Sequence, residues 1–316
     1  MGEFDLIKRF FTRPSTQVLG VGDDCALLAP TAGMQWAVSS DMLVEGRHFL
    51  STVAPERLGH KALAVNLSDL AACGATPRAF TLALALPRID EAFLDGFARG
   101  LFALADAHGI ELVGGDTTAG PLNICITVFG EVPPGQALLR SGAQTGDDVF
   151  VSGTLGDARL ALEVFRGTLS LLGDGFDSVR RAMELPQPRV ALGQALRGLA
   201  SSAVDVSDGM LGDLGHILQR SGVGATVQAD SLPRSALLQT LPIELQRQFG
   251  LAGGDDYELV FTAPESTRAA VEAAAAGVGV AVTRVGRIDA EPGLRLTDAQ
   301  GQVLPARYGS FDHFKS

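Results

Sequence analysis

Six short motifs place an aspartate beside glycine or serine: Gly22-Asp23-Asp24, Ser39-Ser40-Asp41, Leu67-Ser68-Asp69, Gly114-Gly115-Asp116, Asp205-Val206-Ser207-Asp208-Gly209 and Gly253-Gly254-Asp255-Asp256. They recur after apolar runs or before helical ones, so the sequence predicts that they stand where a strand meets a loop or a loop meets a helix. Taken one at a time, each suits a turn or a helix cap as well as it suits a ligand. Carboxylates gathered from several such ends would repel one another and carry raised pKa values unless a cation sat among them. Oxygen donors of this kind suit Mg²⁺, which takes one or two carboxylates together with water and phosphate oxygens.

Other chemistries find less support. The five histidines show no HExxH or related spacing, so the pattern offers no transition-metal site. There is no GxxxxGK[ST] run and no kinase-type Gly-rich loop. A phosphate-handling chain of this composition would therefore rely on carboxylate-held metal rather than on a P-loop lysine. Arg140, between Leu139 and Ser141, offers a planar fork suited to phosphate oxygens, or is an ordinary solvated arginine. His48 and Phe311 each read either as packing residues or as ligand contacts, the phenyl face being suited to a cationic or heteroaromatic ring. Lys61 reads as a salt-bridging or solvated lysine.

The elements that must position these residues alternate between helix and strand. Helical spacing runs through Glu56–Ala72, and again from a cap at Asp90 to a stop at Gly109. Strands are predicted over 81–86, 110–113, 123–132, 149–152, 203–206, 257–262 and 280–288. Further helices are predicted near 157–165, 189–199, 210–220 and 266–276. The turn-rich stretch from Pro133 to Asp148 holds the predicted boundary, giving an N-terminal domain over 1–136 and a C-terminal domain over 137–316, each α+β.

Composition sets the outer limits. The chain has 316 residues, 46% of them hydrophobic, which predicts two domains with substantial cores. Its 25 basic and 36 acidic residues give a formal charge of −11, which disfavours nucleic acid and anionic membrane surfaces as partners. Cys25, Cys73 and Cys125 are widely spaced and odd in number, which fits free, buried thiols in a reducing compartment. Neither a signal peptide nor a membrane span is expected, and the reading is a cytoplasmic protein.

The blocks Gly20-Val-Gly-Asp-Asp-Cys-Ala26, Ser40-Asp-Met-Leu-Val-Glu-Gly-Arg-His-Phe49, Lys61-Ala-Leu-Ala-Val-Asn-Leu-Ser-Asp-Leu-Ala-Ala72, Gly114-Gly-Asp-Thr117, Asp205-Val-Ser-Asp-Gly209 and Gly253-Gly-Asp-Asp-Tyr-Glu-Leu259, closing with Phe311-Asp-His-Phe314, together resemble the thiamine-monophosphate kinase family. That family lies within the ATP-binding superfamily of aminoimidazole ribonucleotide synthetase. The resemblance implies a two-domain aminoimidazole ribonucleotide synthetase-like fold, with the N-terminal domain contributing to a β-barrel at a homodimer interface and an active site in a cleft between the domains. It implies transfer of the γ-phosphoryl of ATP to thiamine monophosphate, giving thiamine diphosphate. Asp24, Ser39, Ser40, Asp41, Asp69, Asp116, Asp205 and Asp208 would ligate several Mg²⁺ ions, with Asp41 and Asp116 the most critical. Gly115, Asp116, Arg140 and Ser207 would contact ATP, and His48, Asp255 and Phe311 the thiamine phosphate. No residue is implied as an acid or base. The chain carries Asp255 where the family commonly has Glu, and Phe311 where it often has Tyr.

Two other readings stay open at this level. A sister ATP-activating enzyme of the superfamily is one, although a selenophosphate synthetase would need an N-terminal cysteine that residues 1–20 lack. A catalytically silent nucleotide- or metal-binding regulatory protein is the other.

Overall fold

The computed structural model describes residues 2–15, 19–21, 25–305 and 307–309. The chain divides into two compact units, Met1–Leu70 with Ala75–Gly135, and Ala71–Gly74 with Gln136–Ser316.

In the first unit a short helix α1 (Glu3–Leu6) runs into a π-helical turn, Ile7–Phe11. Then follow β1 (Gln35–Val44), α2 (Pro55–Ala72), β2 (Thr76–Leu86), α3 (Glu91–His108), β3 (Glu111–Ala119) and β4 (Asn123–Val132). The strands form one sheet in the order β1-β4-β2-β3, with only β2 and β3 parallel. Strict alternation builds its core: Ile124, Ile126 and Val128 of β4 and Leu82, Leu84 and Leu86 of β2 are buried, on one face of the pleat. Leu70 of α2 lies against that face at Gly130, where an added Cβ would come within 2.9 Å of it.

Helix α3 follows its sequence signals. Asp90 caps it by accepting from Phe93 N–H at 3.1 Å, and Gly109 ends it in the left-handed conformation at φ 61°. Helices α2 and α3 meet backbone to backbone: a Cβ on Gly100 would stand 1.7 Å from the carbonyl oxygen of Glu56, and one on Gly59 2.0 Å from that of Phe97. Only glycine permits so close a crossing.

The second unit holds β5 (Asp148–Ser152), α4 (Asp157–Phe165), α5 (Gly175–Glu184), α6 (Val190–Ala195), β6 (Ser202–Asp205), α7 (Met210–Ser221), β7 (Gly224–Gln228), α8 (Ile243–Ala252), β8 (Leu259–Ala263), α9 (Arg268–Gly277), β9 (Val282–Asp289) and β10 (Gly293–Thr297). Its sheet runs β10-β7-β9-β5-β8-β6. Strands β5, β6 and β8 are buried along their whole length, so their centres carry consecutive apolar residues rather than an alternation. One cluster, including Val151, Val204, Leu214, Ile217 and Val260, fills the space between sheet and α7. A second, with Leu160, Val179 and Phe249, joins α4, α5 and α8.

Several expectations change. Ser39-Ser40-Asp41 lies within β1, and Gly114-Gly115-Asp116 within β3. Pairing with β4 and β2 extends both strands through residues whose composition suggests loops. Asp69 sits inside α2, three residues before its end. Helices α5 and α8 have no counterpart among the expected elements. Lys61 is buried, at 2% exposure, rather than solvated. No cysteine is buried: Cys25 is exposed, and Cys73 and Cys125 are half-buried, none of them in a disulfide. No described helix is long and apolar enough to cross a membrane.

One carboxylate at the start of β5 makes acid stability measurable. Burial alone would raise the Asp148 carboxyl, but hydrogen bonds from Arg268 and Arg284, and their charges, outweigh it and hold the group below its ordinary value of 3.8. A depressed carboxyl contributes stability that is whole above the ordinary value and is lost as pH falls through the folded-state value. Between about pH 5 and pH 3 the melting temperature of the unaltered chain should therefore fall more steeply than that of Asp148→Asn. Parallel acid limbs would mean that Asp148 carries no such linkage.

Candidate active site

In the first unit the oxygen-bearing residues of β1 and α2 meet on the inner face of the sheet. Ser39 and Asp41 are two residues apart on β1 and so share a face, in register with Val128 and Ile126, both buried. From α2, Asn66 and Asp69 lie three residues apart on one side of the helix. Ser39 Oγ donates to Asp69 Oδ2. Asp41 N–H donates to Asn66 Oδ1 at 3.0 Å, and Asn66, itself buried, donates through Nδ2 to the Ala62 carbonyl at 3.0 Å. Within the otherwise buried run from Lys61 to Leu70, Asp69 is the one half-exposed residue. The helix therefore offers a single carboxylate beside that of β1.

The remaining first-unit residues are arranged differently. Ser40 hydrogen-bonds the Ile126 carbonyl at 3.1 Å and Thr127 Oγ1 at 3.0 Å. Asp116 is in register with Ala83, Cys125 and Met42, one row from the row of Asp41, Ile126, Leu82 and Gly115. Adjacent rows present side chains to opposite faces, so Asp116 and Ser40 belong to the outer face, where Val38 and Met42 are 58% and 53% exposed. Gly115 is needed where it stands: at φ 149° its Cβ would lie 1.8 Å from the Leu82 carbonyl oxygen. His48 follows β1 in a tight turn. Its Nδ1 accepts from Val44 N–H at 3.0 Å, while the His48 backbone N–H donates to the Val44 carbonyl at 3.0 Å. A neutral imidazole accepting at Nδ1 carries its proton on Nε2. Asp24 and Phe311 lie outside the described residues.

In the second unit the predicted residues fall on two neighbouring loops. Asp205 ends β6, buried and paired with Leu259. The loop Ser207-Asp208-Gly209 then opens α7, and a single carboxylate organises it. Asp213 Oδ2 accepts from the backbone N–H groups of Ser207, Asp208 and Gly209, each at 3.1 Å. Burial first, and then the Asp208 carboxylate, push Asp213 up to about 7 against those three donors. The sequence reading passed over Asp213. Its one signal is an acid in the first turn of a helix that begins with glycine.

The second loop, Gly253 to Glu258, is stitched to the first. Asp255 N–H donates to the Ser207 carbonyl at 2.8 Å, Tyr257 N–H to the Val206 carbonyl at 2.9 Å, and Val206 N–H to the Glu258 carbonyl at 2.7 Å. Arg140 is exposed, its carbonyl accepting from Ser221 Oγ at 3.4 Å. Beside Gly253, whose Cβ would meet that of Arg159 at 2.9 Å, a cavity of about 490 Å³ is lined by Arg159, Phe249, Arg307 and Tyr308 among others.

Among the described residues, no group of three or more His, Cys, Asp or Glu could by itself hold a metal ion. What stands ready is a pair of carboxylates with hydroxyl and amide support in the first unit, and a carboxylate loop under like-charge repulsion in the second. Both donor sets consist of oxygen alone. That composition fits Mg²⁺, which keeps several waters and completes its shell with substrate phosphates.

Residues 22–132 match the AIR synthase related protein N-terminal domain, and residues 144–299 the corresponding C-terminal domain. The thiamine-monophosphate kinase of Salmonella typhimurium is 44% identical over 321 residues, covering 99% of this chain and 98% of the relative. The crystal structure of thiamine-monophosphate kinase from Stenotrophomonas maltophilia superposes with a TM-score of 0.86 at 46% identity, over 95% of this chain and 96% of that one. A structure described as AaThiL complexed with AMPPCP and TMP gives a TM-score of 0.79 at 29% identity, covering 90% and 89%.

Proposed function

The chain belongs to the thiamine-monophosphate kinase family, and from that premise we propose that it transfers the γ-phosphoryl of ATP directly to the phosphate of thiamine monophosphate, with Mg²⁺ ions held by its own aspartates. The observation that carries the mechanism is the joined set Ser39–Asp69 and Asp41–Asn66 on the inner face of the first-unit sheet. It joins β1 to α2 beside one carboxylate on the strand and one on the helix.

The acceptor is already an anionic phosphate, so no strong base is needed to create a nucleophile. The obstacle is repulsion between two polyanions, and the reaction becomes largely one of position and electrostatics. Bound Mg²⁺ would supply neutralising charge and in-line alignment of the phosphates. Asp41 and Asp69, with Ser39, are the first-unit candidates to hold it, and Asp205 and Asp208 the second-unit ones. The family resemblance implies Asp24, Ser40 and Asp116 as further ligands, Ser40 and Asp116 standing on the face of the sheet opposite Asp41 and Asp69. Gly115, Asp116, Arg140 and Ser207 are assigned to ATP. His48, Asp255 and Phe311 are assigned to thiamine monophosphate, for which His48 offers an Nε2–H donor.

The exposed apolar residues Val38 and Met42 on the outer face of the first-unit sheet support a homodimer closed by a barrel there. Three cysteines with no disulfide among them fit a cytoplasmic location.

Incubating the purified protein with ATP, Mg²⁺ and thiamine monophosphate should yield thiamine diphosphate and ADP in equal amounts, and sedimentation of the same sample reports the dimer. ADP formed without thiamine diphosphate would shift the assignment to a sister ATP-activating enzyme. Nucleotide binding with no turnover would shift it to a regulatory protein.

A further inference from the structure

Asp256 stands in an unusual setting. Among the described residues, the non-glycine positions with left-handed backbone are Asp255, at φ 63°, and Tyr257, at φ 51°, and they flank it. Non-glycine residues in that conformation are strained, and persist where the surroundings fix them. The Asp256 carboxyl supplies part of the fixing. Its Oδ1 accepts from Gly156 N–H at 2.9 Å, and Gly156 is the residue that opens α4. Gly156 has little room to shift, since a Cβ there would meet the backbone of Phe249 and Gly250 at 2.9 and 3.0 Å. The other oxygen, Oδ2, is buried and has no hydrogen-bond partner among the described residues.

We propose that Asp256 is a positioning residue for the phosphoryl acceptor: anchored by Oδ1 on Gly156, it holds Asp255 and Tyr257 in their left-handed conformation and so sets where the Asp255 carboxylate stands beside the Ser207 loop. The inference rests on the kinase reading, in which Asp255 meets thiamine monophosphate. Two contacts carry the constraint onward, Asp255 N–H to the Ser207 carbonyl and Tyr257 N–H to the Val206 carbonyl. A turn released at Asp256 would lose the contact that ties its two strained neighbours to the start of α4.

The surroundings of this carboxyl disfavour its charged form. Burial first, and then the carboxylates of Asp157, Glu258 and Asp255, push it well above the usual carboxylate range, against the single N–H donor from Gly156. An amide of the same shape should therefore replace it. A side chain that is absent, or one methylene too long, should not.

The test compares Asp256→Ala, Asp256→Glu and Asp256→Asn with the unaltered chain, measuring KM for each substrate and amide hydrogen exchange at Gly156 and Tyr257. Asp256→Ala and Asp256→Glu should raise KM for thiamine monophosphate about tenfold or more, and KM for ATP by a smaller factor. Asp256→Asn should keep both within about threefold. Exchange at both amides should quicken in Ala and Glu and stay slow in Asn. Parental acceptor KM in Ala or Glu overturns the proposal, as does an Asn variant that fails like Ala. Should Ala not fold, Glu against Asn decides. The unaltered chain separates the two ideas: if it makes no thiamine diphosphate the kinase reading falls, whereas if it does, the variants judge Asp256 alone.

Discussion

Asp41→Asn should lower the rate of thiamine diphosphate formation by ~10³-fold or more, about 4 kcal/mol of transition-state stabilisation, with the melting temperature nearly unchanged. The substitution removes charge and little else. Asp41 is held in β1 through its backbone, by pairing with Ile126 and by Asn66, and an asparagine keeps those bonds. The lost carboxylate is the one that, with Asp69, would hold cation against the incoming phosphates. Turnover at saturating Mg²⁺ and a thermal melt together check this. Near-native kcat would remove Asp41 from the metal-holding set. If Asp116 is the metal ligand that the family resemblance implies, Asp116→Asn should lose activity to a similar degree with the melting temperature nearly unchanged, because the position lies exposed on an edge strand. A large loss of stability there would point to a structural role instead.

Arg189→Met should destabilise the protein by ~3–5 kcal/mol, the range for stranding one partner of a buried ion pair. Glu258 is 6% exposed. It accepts from Arg189 through both Nε, at 2.6 Å, and Nη2, and also from Ser152 Oγ at 2.5 Å. Ser152 Oγ in turn accepts from Leu259 N–H at 2.8 Å. Without the guanidinium, a buried carboxylate keeps a single hydroxyl donor. Denaturant unfolding measures the loss, and adding Glu258→Gln to Arg189→Met should recover a large part of it. A loss below about 1 kcal/mol would mean that the pair behaves as an exposed one.

Much of the scaffold was legible because local signals and tertiary packing agreed. Helix α3 announced itself by an apolar stripe, a capping aspartate and a terminal glycine, and β4 by a run of branched and aromatic residues. Legibility failed where packing overrode composition. Ser39, Ser40 and Asp41 look like a turn, yet ten register pairs with β4 draw them into a strand. Helix α8, over IELQRQFGLA, is too polar to stand out until the cluster around Phe249 gives its few apolar residues a surface to cover. The aspartates were readable as a class. Their grouping was not, because Asp116 and Asp41 face opposite sides of one sheet, a relation decided by register rather than by spacing. Asp213 and Asp256 were invisible as supports, since nothing local distinguishes an acid that gathers three N–H groups, or one that steadies a left-handed turn, from an ordinary polar residue.

The contact of α2 with α3 through Gly59 and Gly100 leaves no cushion of side chains between the two rods. A rigid tray results, in which Asp69 cannot be retuned by sliding its helix alone. If Asp69 holds Mg²⁺ as proposed, descendants of this chain would adjust that site from the strand side, because a side chain gained at either glycine would have to drive the two helices apart.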